Sequence, residues 1–120
     1  MSSPGSIPAA TALQLADLIT PTKSGIGSRV LAKTGGGNVT LFAFDAGEGL
    51  SEHTAPFDAL VIVLDGALNL TIGGQAVAAV PGSIVRMPAD VPHAVDASVA
   101  SRMLLIMLRE PKDSSPNATA

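Results

Sequence analysis

GEGLSEHTAPFDALVIVLDG (residues 47–66) and PGSIVRMPADVPHAV (residues 81–95) are the stretches whose reading decides the fold. Each contains one histidine, His53 and His93, and the chain has no other. Both histidines sit beside Pro or Gly turn residues at the edge of an apolar strand. LVIVL (60–64) is apolar at consecutive positions, which predicts a strand with two apolar faces, and Asp65-Gly66 after it is a tight-turn signal. In the second stretch Pro81-Gly82 turns the chain into SIVRM, Pro88 bends it, and a further strand is predicted around HAV.

Working outward, the same grammar continues. NVTLFAFDA (38–46) reads as a strand that places Phe42 and Phe44 on one face, and ALNLTI (67–72) alternates before Gly73-Gly74 turns it into QAVAAV. SRMLLIML (101–108) closes the series with Met103, Leu105 and Met107 on one face. Upstream, SRVLAKT (28–34) alternates and GGG (35–37) makes a turn, lacking the strand-to-helix setting of a phosphate loop. ALQLADLIT (12–20) fits either a short helix capped by Thr11 or an edge strand. Many short strands joined by Gly and Pro turns predict an all-β protein, a jelly-roll barrel by strand count. The barrel is assigned to residues 13–110, between a flexible N-terminal arm (1–12) and a polar, flexible C-terminal tail (111–120).

Composition excludes several functions. With 120 residues, the chain fits one core. A net charge of -3 without a Lys or Arg run gives no footprint for nucleic acid or an anionic membrane, so neither is expected as a partner. The absence of Cys excludes disulfides and thiolate chemistry. No segment reads as a signal peptide or membrane span, so a cytoplasmic location is expected. Only 14% of residues are charged against 47% hydrophobic, and the strands LVIVL and MLLIML are apolar on both faces. A barrel alone would leave one face of each wet, which predicts a homodimer.

The two opening stretches resemble the cupin family, more narrowly its small, single-domain, RmlC-like members built as a double-stranded β-helix. The family's first motif is a Gly, five residues, His-x-His, three or four residues, Glu, six residues, Gly; Gly47, His53 and Gly66 fall in register. The second is a Gly, five residues, Pro-x-Gly, two residues, His, three residues, Asn; Gly82, Pro88 and His93 match. The likeness runs from Val39 to Leu108 and a little beyond, and includes the intermotif GALNLTIGGQ. Relatives of this kind include some linked to polyketide synthesis.

The departures from the motif bear on chemistry. Ala55 stands at the second motif histidine, Ala59 at the glutamate, Asp90 at the motif glycine and Ala97 at the asparagine. The resemblance therefore implies at most a weakly held divalent transition metal (Zn, Fe, Mn or Ni) on His53 and His93, with two of four ligands missing. Alternation turns Glu52 away from the interior, and Asp58 is one residue out of register unless the Pro56 bend re-aims it. Without metal, the two imidazoles are interior polar groups bonded to water or to each other. Phe57 is placed at the pocket mouth, and Met87 and Met103 in its apolar lining, where gap-filling core packing is their ordinary role. Arg86 is either paired at a dimer interface or directed into the cavity as an anion contact. No G-x-S-x-G elbow or carboxylate pair supports nucleophilic or paired-acid catalysis. Three readings follow: a small-molecule-binding cupin; a cupin enzyme, either a weak-metal oxygenase or isomerase or a metal-free acid/base catalyst through His53 or His93; and a structural dimeric module with a relict site.

Overall fold

A computed structural model of the chain describes residues 6–20 and 23–110. The tail at 111–120 and the first five residues of the arm lie outside the described residues. The alternating and apolar runs form strands β1 (Ile26–Thr34), β2 (Gly37–Phe44), β3 (Gly49–His53), β4 (Asp58–Asp65), β5 (Leu68–Ile72), β6 (Gln75–Ala79), β7 (Ile84–Met87), β8 (His93–Ala97) and β9 (Ser101–Leu108). They pair antiparallel in two sheets, ordered β1-β2-β9-β4-β7 and β3-β8-β5-β6. From β2 onward the chain crosses between sheets at every connection except the β5–β6 hairpin. That is the predicted jelly-roll barrel, with the core between the two inner faces.

Strand alternation sorts each residue. In β4, Ala59, Val61 and Val63 point inward and are buried, while Leu60, Ile62 and Leu64 lie outward and are only half-buried. The inner set packs against Phe44, Met103, Leu68, Leu70 and Val95. Each large side chain so buried contributes on the order of 1.5–3 kcal/mol of transfer free energy. Phe42 and Phe44 do share a face, with ring centroids 6.0 Å apart and planes at 13°. Leu104 and Ile106 of β9 continue the half-buried outer surface begun by Leu60 and Ile62, their cross-strand partners.

The segment before β1 takes neither form open to it in the sequence. Leu15–Asp17 makes a single 3₁₀ turn, and Thr11 donates its hydroxyl to the Ala9 carbonyl at 3.0 Å rather than capping a helix. The segment is tied to the outer face instead: Arg29 and Arg102 donate to the carbonyls of Leu18 and Ile19, and the Ile7 amide donates to Leu31. Arg102 also pairs with Asp65 at 2.6 Å. At the β4–β5 turn Gly66 has φ +81°, and a Cβ there would collide with Ser101 and the Ala100 carbonyl. Glycine is the residue that fits both constraints.

Candidate ligand site

β3 and β8 are register partners, and His53 lies directly opposite His93. Each ring is held from behind by the carbonyl two residues before it: His53 Nδ1 lies 2.8 Å from the Ser51 carbonyl and His93 Nδ1 3.1 Å from the Val91 carbonyl. A carbonyl oxygen only accepts, so both Nδ1 atoms carry the proton, an assignment made from the hydrogen-bond network. The two Nε2 atoms then face each other at 3.1 Å, with ring centroids 4.3 Å apart and planes at 70°. In two neutral rings of this tautomer both Nε2 atoms are lone-pair acceptors. Both nitrogens can therefore accept a hydrogen bond from a third group at the cavity border. His93 is 5% exposed, whereas His53 is exposed at the rim.

The pair borders a cavity of about 50 Å³ that is otherwise apolar. Phe57, Met87 and Met103, named with the histidines from the sequence, all line it. So do Leu50, Leu105 and Met107, which sequence reasoning did not single out for the site. Their signal was parity: Leu105 and Met107 are two and four residues beyond Met103 and share its face. Phe57 also borders an open groove of about 680 Å³, shared with Pro56, Asp58, Ala89 and Leu108 to Glu110. Its ring thus separates cavity from groove, and the Arg109 guanidinium lies over it, 5.2 Å from the centroid.

Two charged residues lie elsewhere than in the cavity. Arg86, opposite Leu60, belongs to the outer face, with a 63% exposed side chain, and pairs with Asp58 at 2.9 Å. An anion contact inside the cavity is therefore not its role in this structure. Asp58 is not re-aimed inward either, since its neighbour Ala59 occupies the inner position. The carboxylate of Asp58 accepts the Ala89 amide at 2.8 Å as well as the Arg86 guanidinium. These two contacts, the amide first, hold its pKa below the usual carboxylate value. Sequence reasoning missed this function: Asp58 fixes the 88–92 loop that delivers His93. A second tie, Asp90 amide to Ala55 carbonyl at 2.8 Å, joins the same loop to the segment after His53. Asp90 has φ +64°, which accounts for a glycine preference at that motif position.

The metal implied by the family motifs meets an incomplete donor set. A spacing of 3.1 Å suits two neighbouring ligands of one ion with bonds of about 2 Å. However, Ala55 and Ala59 present methyl groups to the cavity where the motif has its other ligands. Among the described residues no group of three or more His, Cys, Asp or Glu converges. The residues present do not fit a divalent ion held by three or four such side chains.

Comparison with known proteins agrees with this geometry. A cupin-domain family model matches residues 40–108, which include both histidine-bearing stretches. A solved structure of a conserved protein of unknown function from Streptococcus pyogenes is 31% identical, with TM-score 0.84, covering 92% of this chain and 96% of its own. A cupin superfamily protein from Desulfitobacterium hafniense is also 31% identical, with TM-score 0.81 over 87% of this chain and 95% of its own. A cupin 2 conserved barrel domain protein from Leptotrichia buccalis is 34% identical, with TM-score 0.78; the match covers 81% of this chain and about half, 47%, of that longer one. No curated protein is significantly similar in sequence. With both motif stretches inside the family match and full-length structural relatives above 30% identity, the chain belongs to the cupin family.

Proposed function

We propose that the chain is a small-molecule-binding cupin that holds its ligand at the His53–His93 pair. One observation carries this reading: two Nε2 atoms with their rings pinned from behind converge at 3.1 Å on the border of an apolar cavity. A ligand gains there by offering a donor hydrogen or an electron-poor centre to the nitrogens and apolar surface to the rest. At about 50 Å³ the cavity has room for a few atoms, so a larger ligand extends past Phe57 into the groove once that ring turns aside. Thermal-shift screening of small organic compounds tests the reading. Binders of the wild type should lose affinity in both His53→Ala and His93→Ala. Unchanged binding in either variant contradicts it, and a screen without binders favours a relict site in a structural module.

A second reading is acid/base catalysis, favoured by two imidazoles that both bring Nε2 to the border of the cavity. Either Nε2 can take a proton from a bound substrate and return it while both Nδ1 contacts stay in place. Turnover of a binder, lost in either alanine variant, distinguishes this from binding alone.

A homodimer is proposed with it, formed through the outer face of the five-stranded sheet. Leu60, Ile62, Leu104 and Ile106 remain half-buried there, and Ile84 is 60% exposed. A second copy laid on this face would take that apolar surface from water.

A further inference from the structure

The chain has four arginines, and three of them spend the guanidinium on oxygen. Arg29 donates to the Leu18 carbonyl, Arg86 to Asp58, and Arg102 to both Asp65 and the Ile19 carbonyl. Arg109 is the exception. Among the described residues its side chain has no oxygen acceptor and no ion-pair partner, only the face of Phe57 at 5.2 Å from the ring centroid. A ring face offsets part of the positive charge but offers no oxygen to the N–H donors of the fork.

The backbone beneath this unused fork is fixed. The Arg109 amide, just past the end of β9, donates to the Gly36 carbonyl at 2.7 Å. Arg109 borders the open groove, and Phe57 borders both that groove and the histidine cavity. A molecule lying along Phe57 therefore meets a cation at one end and two nitrogen acceptors at the other.

The surroundings select the kind of anion. Asp58 and Glu110 also line the groove, and Asp58 is already paired with Arg86, so a single arginine faces a single further carboxylate. A doubly charged phosphate ester would be repelled there, whereas a planar monoanionic carboxylate matches the arginine fork with two parallel hydrogen bonds. The cavity walls, among them Leu105, Met87 and Met103, offer hydrocarbon contact and would leave the hydroxyls of a sugar acid unpaired.

We propose that the ligand is a hydroxylated monocarboxylate: its carboxylate sits on Arg109 in the groove, its hydrocarbon body lies along Phe57, and its distal hydroxyl donates to an Nε2 atom of the histidine pair. This deepens the binding reading above and rests on the cavity being a ligand site.

The test is calorimetric titration of the full chain with γ-hydroxybutyrate, ε-hydroxycaproate and para-hydroxyphenylpropionate, each beside its primary amide, which keeps the shape and hydroxyl but loses the charge. At least one acid should bind, more tightly than its amide by about tenfold or more. Arg109 is exposed at the end of its strand, so Arg109→Gln should keep the wild-type melting temperature. It should lower the affinity of the acid to that of the amide and leave the amide unchanged. His53→Ala and His93→Ala should weaken acid and amide alike. Absence of binding by all three acids, equal affinity for acid and amide, or an Arg109→Gln variant that binds the acid as the wild type does overturns the proposal. Should neutral compounds bind through both histidines while acids gain nothing from Arg109, the cavity reading stands and the carboxylate inference alone falls. Acids that bind through Arg109 with no dependence on either histidine overturn both.

Discussion

The carboxylate of Asp58, on the outer face of β4, accepts the amide of Ala89 at 2.8 Å and so anchors the loop that delivers His93 to the cavity. Arg86 holds the other oxygen of the same carboxylate at 2.9 Å. Both contacts favour the charged form, and the pKa of Asp58 lies below its ordinary value of 3.8. A depressed folded-state pKa gives stability that is fully present above the unfolded value and is lost as pH falls through the folded one. Asp58→Ala should therefore melt below the wild type near neutral pH. The gap should narrow only as pH drops beneath about 3.8 and should close once the wild-type carboxylate is protonated. Melting temperatures of both proteins from pH 7 to pH 2 check this; a gap that stays constant across the range contradicts it.

Backbone conformation gives an opposed pair of predictions. Gly66→Ala places a Cβ against Ser101 and the Ala100 carbonyl at φ +81°, and should cost at least about 2 kcal/mol. Asp90→Gly removes a left-handed non-glycine residue at φ +64° and should stay within about 1 kcal/mol of wild type, on the stabilising side. Denaturant unfolding of the two variants measures both. A tolerated Gly66→Ala would contradict the close approach of β9 to this turn.

The proposed dimer face is tested by charge. Ile62→Glu or Ile106→Glu adds a carboxylate to the half-buried outer surface of β4 or β9 without touching the inner face. Burying that charge in an interface costs several kcal/mol, so dimer affinity should fall by roughly 100-fold or more. Light scattering at micromolar concentration should find a dimeric wild type and monomeric variants. A monomeric wild type would sink the proposal.

Much of this architecture was legible because its signals are local. Asp65-Gly66, Gly73-Gly74 and Pro81-Gly82 punctuate the strands, and the consecutive apolar residues of β4 proved to be one buried and one half-buried row. The convergence of His53 and His93 on one cavity follows from two motif stretches in register. What escaped depends on side-chain direction and on partners distant in the chain. Asp58 and Arg86 face outward because Ala59 and Met87 take the inner positions on adjacent residues, and the Asp58 contact with Ala89 spans 31 residues. The segment around Leu15 offers too few periodic residues to specify a strand or a full helix, and tertiary contacts through Arg29 and Arg102 decide its course.

The central claim is that both histidines present Nε2 toward the cavity while Nδ1–H is spent on a backbone carbonyl. A long-range 15N–1H correlation spectrum of the imidazole side chains, recorded near neutral pH, reads this directly. With only two histidines in the chain, His53→Ala assigns the signals. Protonated Nδ1 in both rings is the predicted result; a ring whose Nδ1 is bare while its Nε2 carries the proton would contradict the account.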